Sequence, residues 1–484
     1  MLNVRRTGQV LKPNSSRVLL RAFNPTTEQR SIKIAARVFA MTEEQVNLEY
    51  DQVILRFDER HRNFQAFLLK RFEQVKPLLL SDAPISIERK LLIGAYFSQE
   101  YALEGAALFN PSMVWHPDQS GLPEGSRRFI LSLRATGEGH ISSITFREGL
   151  VDAQNQISIE EPTRFVTGPV VVSNSTYERP LFERKLFELD HWDDITEAAL
   201  STLKPYFTLE ELKASLKIVE RQTRKRNPNA IASSRSLLTL AQANYEGSYS
   251  PDHPLSERII FPTAPNEING IEDARFVQFY EEDGRTLYYA TYTAYDGKVA
   301  MPQILATEDF LHFQMNTLNG PEVQNKGMAL FPRRVNGQYA MLSRQDNENI
   351  FLMFSDNLHF WYTKEILLKP TYPWEYFQLG NCGSPIEIDA GWLVLTHGVG
   401  ALRQYSISAV LLDKKDPSRV IGRMREPILT PDESEREGYV PNVVYSCGAQ
   451  IHNGTLILPY ALSDYASSFA TVPLQEILSA MEQV

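Results

Sequence analysis

The spacing of apolar residues changes character several times along the chain. Residues 1 to about 40 carry short apolar runs, Val18-Leu19-Leu20 and residues 32–38, that read as strands. From residue 42 to 77, Val46, Val53, Ile54, Phe57, Phe64, Phe67, Leu68, Phe72 and Val75 recur at three- and four-residue intervals among charges, the period of an amphipathic helix. A second helical stretch runs from Ser86 to about Leu103. Residues 1–104 are therefore expected to form an accessory module, α/β or largely helical.

After Asn110-Pro111 the apolar positions gather into short runs, such as residues 129–134 and 141–146, bounded by Gly, Pro, Asn and Asp. That is the texture of strands and turns. Helical spacing returns only between about 189 and 243, an insertion with helices near 195–203 and 209–222 and a basic bend at 221–226 that reads as a solvated helix end. From Gly270 onward strands hardly stop, and they repeat. Residues 306–313 and 354–361 share a polar residue, an Asp and a following aromatic, with Asp309 and Asp356 47 positions apart. A period of that size holding about four short strands marks a propeller blade. Residues 105 to about 470 less the insertion leave about 310 positions, room for five or six blades.

Composition narrows the function. The 484 residues include 49 Lys and Arg against 59 Asp and Glu, a net charge of −10, which argues against nucleic acid or an anionic membrane as partner. The two cysteines, Cys382 and Cys447, are too few for a disulfide scaffold, and no CxxC or His/Cys cluster suggests a metal, so neither metal nor cofactor is expected. With no apolar run of membrane-spanning or signal-peptide length, a soluble cytoplasmic protein is expected. Nucleotide, dinucleotide, α/β-hydrolase and zincin readings have no motif to stand on.

What remains is a set of acidic, basic and aromatic residues on glycine-rich turns. In Asn269-Gly270-Ile271-Glu272-Asp273-Ala274-Arg275-Phe276, strand alternation predicts Glu272 and Asp273 on opposite sides, one facing a cavity and the other paired with Arg275. Gly380 and Gly383 lead similarly to Glu387, and His397 stands before Gly398 at the end of the next strand. Trp374, Tyr376, Phe377, Trp392 and Tyr405 are either core or stacking surfaces for sugar rings. Carboxylates on separate loops of one cavity are the equipment of glycosidic bond cleavage, one protonating the leaving oxygen while a base activates the attacking group. A cavity acid held away from water is expected to have a raised pKa.

These blocks resemble glycoside hydrolase family 130, the mannoside phosphorylases and β-mannosidases, over about residues 110–464. Gly270 to Arg275 resembles the family's G-I-E-D-P-R, with Ala274 in place of Pro, which implies Asp273 as general acid acting through a mannose hydroxyl. Asn325 to Pro332 with Ser343-Arg344, then Gly383 to Glu387 with Gly391-Trp392-Leu393 and Thr396 to Val399, continue the resemblance. Tyr460 to Asp464 falls where Y-G-A-A-D stands and implies Asp464 as a sugar-hydroxyl ligand. The family's phosphorylases surround phosphate with two Arg, a Lys and a His. Here Arg344 and His397 remain, Lys326 takes an Arg position, and Glu387 falls at the Lys position, where a carboxylate would repel phosphate and could instead orient water.

The resemblance thus implies a mainly β protein, a five-bladed β-propeller over residues 105–484, with the N-terminal module and helical insertion attached. The leading expectation is an inverting glycosidase for β-mannosidic linkages in manno-oligosaccharides, β-1,2 favoured. Asp273 is its acid and Glu387 or Glu435 its base, with Asn110, Arg134, Lys326, Arg344, His397, Tyr405 and Asp464 around the sugar. One alternative is a β-mannoside phosphorylase releasing mannose 1-phosphate, in which inorganic phosphate replaces water and Lys326, Arg344 and His397 hold it. Another is a noncatalytic glycan-binding propeller. The amphipathic N-terminal helices offer a contact surface for a homo-oligomer.

Overall fold

A computed structural model of the protein describes residues 2–79, 81, 83–172, 176–223 and 230–484; Arg224, Lys225 and Arg226 of the basic bend lie outside the described residues. The protein is mainly β. Among the described residues, five antiparallel sheets of four to six strands follow one another along the chain. The first contains Ala107–Trp115, Arg127–Thr136 and Ser142–Val151. The second runs from Ile271–Tyr280 through Thr286–Tyr295 and Ala300–Thr307 to His312–Thr317, the third from Lys326–Leu330 through Tyr339–Arg344 and Ile350–Ser355 to Glu365–Leu368. The fourth is built on Gln378–Asn381, Gly391–Val399 and Tyr405–Leu412, the fifth on Val444–Tyr445, Thr455–Leu462 and Ala466–Pro473. Asp309 and Asp356 occupy the same place, the turn between the third and fourth strands of their sheets. Asp309 Oδ1 there accepts the backbone N–H groups of Leu311 and His312, whereas in the third sheet Asn357 takes the turn bond, from His359 N–H, and Asp356 accepts from the Gln338 side chain.

The N-terminal helices are α1 (Glu28–Phe39), α2 (Glu43–Phe57), α3 (Phe64–Val75) and α4 (Ile87–Tyr96). Residues 32–38, expected as a strand, lie inside α1. Thr27 caps the helix through the Arg30 N–H, and Ser31, Ala35 and Val38 form its buried stripe. Residues 18–22 are a strand as expected, paired with Ser98–Ala102. The insertion carries α5 (Arg179–Glu188), α6 (Asp194–Ser201), α7 (Leu209–Thr223) and α8 (Ala230–Gln242), so its helices begin ten residues earlier than the sequence pattern shows. Its own core includes Phe182, Leu186, Leu200, Phe207, Leu212 and Leu237. No helix among the described residues is long and apolar enough to cross a membrane.

The N-terminal module is fastened to the sheets in two ways. Its first strand, Arg5–Leu11, is not part of the helical unit at all: it pairs antiparallel with Ala466–Pro473 in the fifth sheet. Buried charge makes the second fastening. Arg17 and Glu104, both fully buried, form an ion pair, and Arg147 of the first sheet donates to the same Glu104 oxygen at 2.7 Å. Burial lowers the Arg17 guanidinium to about 10, against the pull of Glu104. Replacing Glu104 with Gln leaves two buried cations without a counter-charge, so we expect Glu104→Gln to lower stability by about 3–5 kcal/mol. Denaturant unfolding measures this; a loss below about 1 kcal/mol would show that the network carries little.

Candidate functional site

The sheets meet along their first strands. Cys447 N–H donates to the Pro111 carbonyl at 2.8 Å and Phe276 N–H to Ser112 Oγ at 3.0 Å, tying the edges of the first, second and fifth sheets together. One cavity of about 230 Å³ opens above this junction and takes side chains from all five sheets: Asn110 and Arg134, Asp273, Lys326 and Arg344, His397 and Tyr405, Tyr445 and Asp464.

Three of these first strands bulge where they reach the cavity. Register breaks fall between Phe109 and Ser112, between Glu272 and Arg275, and between Lys326 and Ala329. Asn110 (φ 50°), Asp273 (φ 54°) and Gly327 (φ 87°) there take left-handed backbone, which Asn, Asp and Gly tolerate better than other residues. A bulge re-aims side chains, and this one overturns the alternation expected for Glu272 and Asp273. Both carboxylates reach the same cluster. Glu272 accepts from Arg134 Nη2 at 2.7 Å and from Lys326 Nζ. Asp273 accepts from Asn110 Nδ2 and lies 3.6 Å from Arg134 and 3.9 Å from Arg275. Arg275, fully buried, donates to the Asp273 carbonyl at 3.0 Å and to the Tyr445 hydroxyl at 2.7 Å, which fixes the turn from below.

Opposite this cluster sit Arg344 and His397. Gly380 makes room for the imidazole, since a Cβ there would lie 2.5 Å from His397 Cε1. Arg344 Nη1 donates to His397 Nε2 at 3.3 Å, and the imidazole packs against the Tyr445 and Tyr405 rings at 4.8 and 5.9 Å. Arg344 is 8% exposed, yet among the described residues no carboxylate pairs with it and its Nε has no partner.

Electrostatics separate the titratable groups. Burial alone would raise the Asp273 carboxyl, but Arg275, Lys326, Arg134 and Arg344 together hold it below the usual carboxylate range, the reverse of the expectation for a cavity acid. Asp464 behaves as expected of such an acid: burial, reinforced by the Asp273 charge and opposed by Arg134 and Arg403, pushes it up to about 6. Burial, then the neighbouring Arg344 and Arg275, drives His397 well below its ordinary value, so the imidazole is neutral.

Eight of the ten expected site residues share this cavity: Asn110, Arg134, Asp273, Lys326, Arg344, His397, Tyr405 and Asp464. The two candidate bases do not. Glu387 sits on the short strand Ile386–Ile388, paired opposite Trp392, whereas Gly380 pairs opposite His397. Those positions are five residues apart on one strand, roughly 17 Å. Glu387 there binds Arg333 through two hydrogen bonds of 2.8 and 2.9 Å, with Lys414 3.4 Å away, and lines a different cavity beside Trp115 and Arg127. Glu435 is equally engaged: Arg6 grips both its oxygens at 3.0 Å and Tyr460 donates at 2.6 Å. Five lining residues were not among the expected site residues: the apolar Phe109, Val440 and Val443, and the polar Tyr445 and Arg403. Arg403 lies on a left-handed turn with Leu402 (φ 55° and 56°) between Gly400 and Tyr405, and that glycine was its only signal.

Comparison with known proteins is consistent across sequence. A family profile described as beta-1,4-mannooligosaccharide phosphorylase matches residues 235–483. The chain is 34% identical over 230 residues to a 1,2-beta-oligomannan phosphorylase of Thermoanaerobacter sp. (strain X514), covering 46% of this chain and 75% of the relative. It is 32% identical over 227 residues to a beta-1,2-mannobiose phosphorylase of the same strain, covering 44% and 70%. The solved beta-1,2-mannobiose phosphorylase from Listeria innocua, in complex with beta-1,2-mannobiose, overlaps 78% of this chain and 92% of its own at 21% identity, with a TM-score of 0.47. The profile spans more than half of the chain and contains Asp273, Lys326, Arg344, His397 and Asp464, and on that ground the protein belongs to glycoside hydrolase family 130.

Proposed function

We propose that the protein is a β-mannoside phosphorylase, which transfers the terminal mannosyl unit of a manno-oligosaccharide to inorganic phosphate and releases mannose 1-phosphate. The observation that carries this reading is Arg344, a buried guanidinium that no carboxylate contacts among the described residues, in a cavity that neither Glu387 nor Glu435 lines. A buried cation that contacts no counter-charge is better accommodated when an anion joins it. Phosphate offers oxygens matched to guanidinium donors. It is also a nucleophile without help, whereas an inverting hydrolase needs a base carboxylate about 6.5–9.5 Å from the acid. The repulsion expected from Glu387 is removed because its charge is far away and paired. Both curated relatives described above are named as phosphorylases.

In this reading phosphate settles between Arg344, Lys326 and His397, and Asn110, Arg134, Tyr405 and Asp464 hold the sugar. A phosphate oxygen forms the new bond to the anomeric carbon as the bond to the leaving sugar breaks, and the leaving oxygen takes the Asp273 proton by way of a mannose hydroxyl. In the empty cavity four cations keep Asp273 ionised. A phosphate dianion cancels part of their field, so the carboxyl becomes a proton donor when the co-substrate is present. The same reading takes the five sheets as blades of a five-bladed propeller over residues 105–484, completed by Arg5–Leu11, with the remainder of 1–104 as an accessory module.

Incubating β-1,2-mannobiose with and without inorganic phosphate tests the reaction. Mannose 1-phosphate should form only with phosphate, and equal release of free mannose without it would restore the hydrolase. Arg344→Met should raise the KM for phosphate ten- to a hundredfold, the loss of one or two charge-assisted hydrogen bonds of about 1.5–3 kcal/mol, with a smaller change in the KM for glycan. Asp273→Asn should abolish turnover in a folded protein, while Glu387→Gln should keep it; an inactive Glu387→Gln would reinstate that residue as a base.

Asp464 makes a separate prediction. Its folded pKa is raised from 3.8 to about 6, so the unfolded chain ionises first and native stability falls as pH rises from about 4 to 6, remaining lower above that. Asp464→Asn removes a penalty of up to about 3 kcal/mol. Its melting temperature should exceed the wild type's at pH 7.5 and match it near pH 3.5, even though sugar binding weakens. A melting temperature unchanged at both values would mean that Asp464 titrates normally.

A further inference from the structure

A second cavity, of about 400 Å³, lies between the helical insertion and the sheets and shares no lining residue with the cavity around Asp273. Its size falls in the range of roughly 300–1,000 Å³ usual for small-ligand pockets. The insertion supplies one wall from residues 176–206, which lie outside the stretch matched by the family profile. The outer part of the second sheet and the loop carrying His359 supply the other.

One polar atom of this cavity, His359 Nδ1, is buried without a hydrogen bond among the described residues, and two further groups have bonding capacity to spare. The Lys185 side chain is 4% exposed, and its ammonium, with three hydrogens to donate, has one partner among the described residues, Glu188 at 3.3 Å. Glu188 is itself anchored by the Gly320 N–H at 2.8 Å. Burial holds the His359 imidazole below its usual value, and its Nδ1 is buried without a hydrogen bond. Asn319 uses its Nδ2 hydrogens on the carbonyls of Thr317 and His359, at 3.2 and 3.0 Å, which leaves its Oδ1 to accept. Buried polar atoms without partners are uncommon and call for an occupant.

The charges and ring faces say which kind. Lys185 is offset by Glu188, Glu178 adds a carboxylate to the wall, and His359 is neutral, so nothing favours an anion such as phosphate or a nucleotide. The groups on offer are both donors and acceptors, which suits hydroxyls. Three aromatic residues complete the picture, Tyr177 and Phe182 on the wall, where they also pack in the insertion's core, and Tyr206, 64% exposed, at the rim. Aromatic faces beside mixed donors and acceptors fit a sugar ring, which is apolar on its C–H face and hydroxylated at its edge.

We infer that this cavity is a second glycan-binding site, taking one or two neutral pyranose units of the same β-mannoside that the catalytic cavity cleaves. The identity of the sugar rests on the mannoside reading above; the existence of the site does not. Holding a chain here raises the local concentration of its ends near the enzyme.

Calorimetric titration of the Asp273→Asn protein, in which turnover is silenced, with β-1,2-mannobiose tests the inference. Two sites per chain are expected. One should weaken at least tenfold when Tyr206→Ala or Lys185→Met is added, while each of these changes in the otherwise wild-type enzyme leaves turnover of the disaccharide intact. Tyr206 is exposed, so its truncation cannot be mistaken for misfolding, and retained turnover controls for Lys185. A single site indifferent to both changes overturns the second site and leaves the catalytic reading standing. No binding at all, together with no turnover of any β-mannoside, overturns both, and inorganic phosphate displacing the disaccharide from the Tyr206-sensitive site overturns the choice of a neutral ligand.

Discussion

A guanidinium kept inside a protein with no carboxylate against it is a demanding group to accommodate, and much of the arrangement around Arg344 answers to it. Lys326 and Arg134 are paired with Glu272, and Arg275 is held by the Tyr445 hydroxyl and the Asp273 carbonyl, with the Asp273 carboxylate 3.9 Å away. His397 is neutral, so it lies beside Arg344 without adding charge. Gly380 lets the imidazole in close. The field of the cavity comes from four cations acting together on Asp273, with Arg344 the buried one among them that touches no carboxylate among the described residues, and the hydrogen bonds that join the first strands of neighbouring sheets hold these groups in register.

The local structure was legible in the sequence where the apolar period ran for several turns. Phe64, Leu68, Phe72 and Val75 form such a stripe, and it is α3, although Asn63 makes no side-chain capping bond. Residues 32–38 were misread because so short an apolar run satisfies strand and helix spacing alike, and the deciding Thr27 cap stands outside it. The site was legible as a set of residue types and only partly as geometry. Motif order brought together eight of ten residues that share one cavity. Glu387 lies elsewhere because order along a motif says nothing of which end of a strand a neighbouring short strand pairs with. The bulge at Asp273 is likewise invisible to alternation, which assumes that register continues.

Two carboxylates in one cavity have been driven apart by their surroundings, Asp273 downward by four cations and Asp464 upward by burial. On the phosphorylase reading this separation has a chemical logic. An acid that is ionised until an anion arrives cannot assist a stray water in attacking bound glycan. Suppression of hydrolysis then follows from the timing of protonation and does not depend on excluding water from the cavity.

The strand Arg5–Leu11 ties the fold to its own synthesis. Arg5 is in register with Thr471, so the fifth sheet gains that strand only when residue 471 has been made. At roughly 5–20 residues per second, that is about half a minute or more after the first strand leaves the ribosome. Throughout that interval the partner of Ala466–Pro473 is loose chain, and when the sheet forms its edge remains open until that chain returns. A second copy at the same stage offers the same strand to the same edge, so exchange of Arg5–Leu11 between copies is the assembly error this architecture most readily invites.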